Sequence, residues 1–431
     1  MSENEKKHCI AIFAHDGINS HHCGVGTVIQ AHLQLLPSVM HEVYPIKQYA
    51  MYAVTPYQTP KSPAYSEEIK HLSMSICQSQ GGDLIEVSNG SDGSVSWGNK
   101  DNWKTCSVNG AIVANQLIEK HESCIFMFHD DPFAGAASIV HSYNISNRSV
   151  KSIWIPHSTS LLNDYPKPRT DRLSWEYECA TRIKENSDIQ IGYTCEFMKQ
   201  HLIQSFHIPK SSLTPARIGV NLNEMHRENT QKKVYNIRRF LNSGSFIFSY
   251  GRAHPTKGFH QLIEAFLKVS DVLGMNLIIL APSDQELSNY SKLIKRKTAN
   301  HENRILIITN FNNRLPHDVI AHDNCSIVAA VSKSEPCGLV PMETRRGQHK
   351  SGPIMIVSNS GGLAEQVKDQ IDGFLVEPDN IDAMAALFIK ISKLSTEKRI
   401  SICAEASQTL KTKYDAAQNL RETVSLLIGE Y

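Results

Sequence analysis

Glu335 and Glu343 bracket seven residues in the stretch VSKSEPCGLVPMETRRGQHKSGP, residues 331–353. An acid, a small turn and a second acid at a helix start present three kinds of group in order. Glu335 can accept bonds from sugar hydroxyls. The N–H groups of Gly338, Leu339 and Val340 stand where a helix begins, unpaired and at its positive end, so they can hold phosphate oxygens. Glu343 follows about one turn later, at a rise of ~1.5 Å per residue, within reach of the two hydroxyls of a ribose. A plainer reading, one acid favouring the helix dipole and one exposed helical glutamate, leaves the Cys-Gly-Leu turn unexplained.

That plainer reading also ignores SYGRAHPTKGFHQLIEAF, which begins at Ser249. Arg252 and Lys257 lie five positions apart there, with Gly258 beside a helix start. A planar fork and a point charge converging above a strand end suit a diphosphate that gains charge. Two isolated surface cations are the usual fate of Arg and Lys. The Gly-Arg-x4-Lys-Gly setting favours the clamp.

The amino-terminal half offers fewer groups. HDGINSHHCGVGTVIQ follows a first apolar run and leads into a helix. Gly24 and Gly26 would let backbone approach an anion at the helix start. A tight strand-to-helix turn explains this loop equally well, and it lacks the spacing of a dinucleotide fingerprint. Asp16 in the same loop and His129 at the end of CIFMFHD are further cleft candidates. His157 in IPHST is the stronger histidine, because hydroxyl residues flank it. A lone histidine is more often structural, bonded to backbone; two at equivalent strand ends favour a cleft role. Trp97 and Trp103 are the tryptophans placed best to stack on a ring, although packing is the commoner role.

These groups need elements to hold them. Short apolar runs bounded by turns read as buried strands at 9–15, 124–130, 152–157 and 189–194, then at 246–251, 275–282, 304–310, 326–332, 353–358 and 373–377. Helical patterns lie between them, which implies parallel sheets covered on both faces. The fold class expected is therefore α/β, with two doubly wound Rossmann-like domains facing a central cleft. Residues 1–225 form the first domain and 226–405 the second, with a polar break around 221–242. Residues 406–431 form a C-terminal helix that can cross back to the first domain. Residues 52–101, rich in Ser, Gly, Pro and Asn, read as an elaborated loop region with room for short strands. Ligands of such sheets sit outside the carboxyl ends of the strands.

Composition narrows the class. The chain has 431 residues and a formal net charge of +1, so no global field calls for nucleic acid or anionic lipid. No stretch approaches the ~20 apolar residues of a membrane helix, and the first apolar run is wrongly flanked for a signal peptide. Ten cysteines without a CxxC pair read as free thiols of a cytoplasmic protein. HHCG, with no distant partner pair, reads as a loop rather than a zinc site.

From about Ser249 to Pro378 the chain resembles the nucleotide-sugar half of retaining GT-B glycosyltransferases, the glycogen and starch synthases and the family-4 group. The resemblance rests on GRAHPTKG, EPCGL with its second glutamate, and SNSGGLAEQVKDQIDGFLVEP. It implies that Arg252 and Lys257 bind the donor diphosphate, that Glu335 binds the donor sugar and Glu343 the ribose. Backbone at Gly338, Leu339 and Val340 would hold the distal phosphate. His157 would sit near the reacting sugar, and the Gly24–Gly26 loop would close over the pyrophosphate. The implied activity is retaining transfer of a hexosyl group from a nucleoside-diphosphate sugar, UDP by preference, to a hydroxyl acceptor. No metal or other cofactor is expected, since the cationic pair and helix dipole replace it. The base would lie near residues 310–313. The loop His22-Cys23-Gly24-Val25-Gly26 lacks the lysine of glycogen synthases, which argues against that enzyme proper. Residues 348–352 read as a small insertion that brings His349 and Lys350 to the cleft rim. A nucleotide-sugar epimerase on the same fold and a non-catalytic sugar-nucleotide binder are the alternative functions.

Overall fold

A computed structural model describes residues 7–21, 23–45, 48–143, 148–186, 188–223, 235–282, 289–310 and 314–429. The chain divides into two compact units, 1–221 with 415–431 and 222–414. Each is built on one all-parallel sheet.

The first unit runs β1 (His8–Phe13), α1 (Gly24–Val43), β2 (Tyr49–Pro56), α2 (Glu67–Ser79), β3 (Leu84–Val87), α3 (Lys100–Lys120), β4 (Ser123–His129), α4 (Asp130–Tyr143) and β5 (Ser149–Ile155). It continues through α5 (Ser160–Asn163), α6 (Thr170–Lys184), β6 (Ile189–Tyr193), α7 (Glu196–Phe206) and β7 (Leu213–Pro215). The sheet order is β3-β2-β1-β4-β5-β6-β7. Side chains alternate between two apolar clusters, Cys9, Ala11 and Phe13 on one face and Ile10, Ile12 and Ala14 on the other. Helices cover both faces, which is why the strands read as continuous apolar runs.

The second unit runs α8 (Tyr235–Asn242), β8 (Phe246–Tyr250), α9 (Phe259–Leu273), β9 (Asn276–Leu280), α10 (Asn289–Thr298), β10 (Ile305–Ile308), α11 (Leu315–Ile320) and β11 (Cys325–Ala330). It ends with α12 (Val340–Gly347), β12 (Ile354–Ser358), α13 (Gly361–Ala364), β13 (Phe374–Val376), α14 (Ile381–Ser392) and α15 (Thr396–Lys413). Its order, β10-β9-β8-β11-β12-β13, is doubly wound in the same sense. In each sheet the strand order reverses beside the first strand, between β1 and β4 and between β8 and β11. Those are the switch points at which such folds bind ligands.

The last helix, α16 (Ala416–Ile428), belongs to the first unit. Ala416, Leu420, Val424 and Leu427 join the cluster that contains Ile29, Leu33 and Leu36 of α1. Asn419 Nδ2 donates to Ile218 O at 3.1 Å, and Ala416 N–H to Val220 O at 3.1 Å. The boundary read at residue 406 lies inside α15, which runs on to Lys413 before the chain passes back. Half of the polar break at 221–242, residues 224–234, lies outside the described residues.

The expected loop region at 52–101 is largely regular structure. It holds most of β2, all of α2 and β3, and only then a loop before α3. β2, YAMYAVTP, is buried throughout between β1 and β3. Its small Ala50 and Ala53 and polar Thr55 hide that burial from a hydrophobic count. Helix α2 buries only Ser73 and Cys77, so it shows no apolar stripe. Trp103 is another correction. It is fully buried in α3, and its indole donates to Trp97 O at 2.7 Å. It is a core residue with no face left for stacking on a ligand.

Candidate functional site

The segment after β11 meets the segment after β8 at the switch point of the second sheet. Gly258 has φ 71° and takes up the space against Val331 O, where a Cβ would lie 2.3 Å away. Lys333 N–H donates to Thr256 O at 2.7 Å. These two contacts lock the loops together, and the Lys257 ammonium is paired with the Glu335 carboxylate. Both side chains keep about a fifth of their surface exposed, at 20% and 17%. The guanidinium of Arg252, in the same loop, is exposed and makes no hydrogen bond or ion pair among the described residues.

A second set of contacts shapes the turn itself. Gly338 has φ 84°, and Gly361 and Gly362 of α13 press on the backbone of Glu335 to Cys337 just before it, with Gly362 N–H donating to Glu335 O at 2.9 Å. A Cβ on Gly362 would fall 2.4 Å from Pro336 O. The buried amide of Gln366 donates to Cys337 O at 2.6 Å and Gly338 O at 2.9 Å. The SGGL and Gln366 positions downstream are therefore what holds the turn open, a role the sequence reading did not assign to them. Helix α12 starts at Val340, and its first bond runs from Glu343 N–H to Leu339 O at 2.9 Å. The N–H groups of Gly338 to Val340 thus stand at a free helix start. Tyr250, the last residue of β8, donates its hydroxyl to Glu343 Oε2 at 2.6 Å. Burial, and next the charge of Glu343, push the Tyr250 phenol well above its usual range. Arg252, Lys257, Glu335, Gly338 and Glu343 all lie on loops or a helix start at the carboxyl ends of two neighbouring strands.

His349 and Lys350 do not share that end. Helix α12 runs antiparallel to the strands, so residues 348–352 lie before β12 at the amino edge of the sheet. Gln348 Nε2 there donates to Cys403 O at 2.8 Å, and Arg399 Nε to Ser351 O at 3.0 Å. The expectation that they approach the ligand rim is withdrawn for this geometric reason. The stretch assigned to the base, 310–313, lies mostly outside the described residues.

The first unit gathers its own groups at its own switch point. His129 Nδ1 and His157 Nε2 lie 2.9 Å apart, and the His32 ring is 5.9 Å from that of His129. Burial drives His157 down to about 4, His32 to about 3, and His129 well below its ordinary value. All three rings are therefore neutral near pH 7. Asp130 begins α4 at φ 57°, a conformation rare outside glycine and frequent at ligand sites. Its carboxylate accepts the His157 N–H at 2.8 Å and so sets where that histidine stands.

Asp16 has a different job from a free cleft acid. Its carboxylate caps the start of α1, accepting from Gly17 N–H at 3.0 Å and Cys23 N–H at 2.9 Å. Gly26 is glycine for that reason, since a Cβ there would lie 2.8 Å from Asp16 Oδ2. Gly24 remains exposed at the helix start. His22 lies outside the described residues, and among the described residues no group of three or more His, Cys, Asp or Glu is arranged to hold a metal ion.

The buried His32 gives a pH test. A histidine held neutral by burial lets the unfolded chain bind protons that the folded chain refuses. Its contribution to stability is lost as pH falls from its unfolded value near 6.5 towards about 3. His32→Leu is expected to reduce the loss of stability between pH 7 and pH 5 relative to the parent. Urea midpoints of both proteins at the two pH values check this. Taking the difference between the proteins cancels the other groups that titrate in both.

Residues 234–409 match the family described as "Glycosyl transferases group 1". The chain is 30% identical over 146 residues to granule-bound starch synthase 1 of Pisum sativum, a match covering 32% of this chain and 23% of that one. The chain thus spans less than a quarter of that relative. In backbone it superposes on a sucrose-phosphate synthase from Thermosynechococcus elongatus with a TM-score of 0.69 at 15% identity, covering 98% of this chain and 100% of the other. A trehalose-6-phosphate structure from E. coli, bound with UDP-2-fluoro glucose, gives 0.67 at 14% identity and covers 97% and 98%. At such identities the likeness is one of fold, and that fold is GT-B. No described helix is long and apolar enough to cross a membrane.

Proposed function

The chain is a GT-B protein carrying a group 1 glycosyltransferase domain, and from that premise we propose that it moves a hexosyl group from UDP-sugar to a hydroxyl acceptor with retention. The observation that carries this reading is the meeting of Lys257 and Glu335 beside the free start of α12. Sugar, diphosphate and ribose groups stand there in the order a nucleoside-diphosphate sugar presents them. Arg252 and Lys257 take the charge that develops on the departing diphosphate, so the site needs no metal ion. Glu335 holds Lys257 until the donor arrives, then shares it with phosphate oxygens while accepting sugar hydroxyls. Leaving-phosphate oxygen deprotonates the acceptor on the same face.

Calorimetric melting in the presence of nucleoside diphosphates tests the donor. UDP at 100 times its Kd is expected to stabilise the protein by about 2.7 kcal/mol. No shift with any nucleoside diphosphate or its sugar conjugate would remove the reading. Product analysis then separates transfer from epimerisation, because only transfer requires an acceptor and yields a glycoside.

Glu343 gives a finer prediction. Its carboxylate, oriented by Tyr250, is assigned to the ribose hydroxyls. Glu343→Gln is expected to weaken UDP binding about tenfold or more, the value of hydrogen bonds to a charged group. Titration calorimetry measures it, and affinity within twofold of the parent would rule out this contact.

A further inference from the structure

A cavity of about 270 Å³ lies at the amino edge of the second sheet, at the opposite ends of the strands from the proposed donor groups. Ser243, Asn276 and Arg304 line it just where β8, β9 and β10 begin, together with Arg239 on α8, Asn303 and Gly274. None of its lining residues is acidic.

The two arginines are held differently. Arg304 is half-buried, and its Nη2 donates to Ser270 O and Met275 O, both at 2.8 Å. That bond pair closes the end of α9 and fixes the plane of the guanidinium. Its Nε and Nη1 make no hydrogen bond among the described residues. Arg239 is exposed, and its guanidinium has neither an ion pair nor a hydrogen bond there. Asn276 is buried and tied to Ser243 Oγ at 2.8 Å, which stiffens the floor. Gly274 adopts φ 66° and its missing side chain faces open space, so the mouth stays clear.

We propose that this cavity is an anion site for a phosphate group, free or as a small phosphomonoester, separate from the donor site. Two guanidinium groups on one polar hollow, one pre-oriented by backbone carbonyls, match a tetrahedral dianion. Asn303 supplies a neutral hydrogen-bond partner for the rest of the ligand. The volume falls below the ~300–1,000 Å³ of ordinary small-molecule pockets, which limits the ligand to a small one.

The test is titration calorimetry on the full chain with inorganic phosphate and with glycerol phosphate, both in saturating UDP. Binding that persists under UDP and weakens roughly tenfold or more in Arg239→Glu is expected, with UDP affinity unchanged in the variant. Asn303→Asp, which puts a carboxylate at the rim without touching Arg304, is expected to act in the same direction. Tighter binding of glycerol phosphate than of phosphate would mark a phosphomonoester site, and equal binding a free-phosphate site. Displacement of phosphate by UDP, equal affinity in both variants, or no heat at millimolar ligand would each overturn the proposal.

Discussion

Lys257→Ala and Arg252→Ala are each expected to lower kcat by about 100- to 1,000-fold while the fold survives. Losing one preorganised donor to a developing negative charge costs ~2.7–4 kcal/mol in the barrier. The two residues reach that result by different routes. The Arg252 side chain is exposed and has no partner to lose among the described residues, so its truncation is expected to change stability by only about 0.5 kcal/mol or less. Removing Lys257 also strips Glu335 of its counter-charge. A bare carboxylate at the diphosphate site repels the donor, so Lys257→Ala is expected to raise KM as well. Lys257→Met with Glu335→Gln removes that repulsion and restores KM but not kcat. Steady-state kinetics with the identified donor decide the matter, with circular dichroism as the control on folding. Near-normal turnover in both single variants would remove the site assignment.

The repeat of strand and helix was legible because parallel strands covered on both faces are continuous apolar runs. The six strands of the second sheet fall where Phe246, Leu277, Ile305, Ile327, Ile354 and Phe374 mark them. β2 escaped because alanine and threonine fill three of the eight positions of a strand wedged between two neighbours, so burial there is not announced by size. The acid-turn-acid segment was legible because a Cys-Gly-Leu turn between two glutamates, with a cationic pair upstream, leaves few local explanations. What surrounds it was not. Gln366 holds the turn through the carbonyls of Cys337 and Gly338, and no local pattern distinguishes a buried glutamine from a surface one. Asp16 illustrates the reverse error. An acid in a glycine-rich loop looks available for a ligand, yet backbone N–H groups of the kind that donate to a phosphate also donate to a side-chain carboxylate, as Gly17 and Cys23 do to Asp16.

The largest stability effect is expected from Arg172, a residue that sequence reading passed over as one charge in a helical pattern. Its guanidinium is 2% exposed and bonds Asp131 Oδ2 at 2.9 Å, Glu176 Oε1 at 2.9 Å and Asp164 Oδ1 at 3.2 Å. Glu176 also accepts the Ser160 N–H at 2.8 Å, and Arg172 donates to Ser158 Oγ at 2.9 Å. The network therefore pins the chain that leads from His157 into α5. Burial raises Glu176 to about 9 and Asp131 to about 6, even with the cation between them. Arg172→Met strands two buried carboxyls, and breaking a buried ionic cluster from one side costs ~3–5 kcal/mol. Without the cation Asp131 is pushed above about 6, so as pH rises the folded variant keeps a proton that the folded parent releases. Its deficit is therefore expected to grow from pH 5 to pH 8. All four tryptophans, Trp97, Trp103, Trp154 and Trp175, lie in the first unit, so their fluorescence during urea unfolding follows that unit alone. A loss below about 1 kcal/mol, or a deficit that shrinks with rising pH, would show that this cluster does not hold the His157 segment in place.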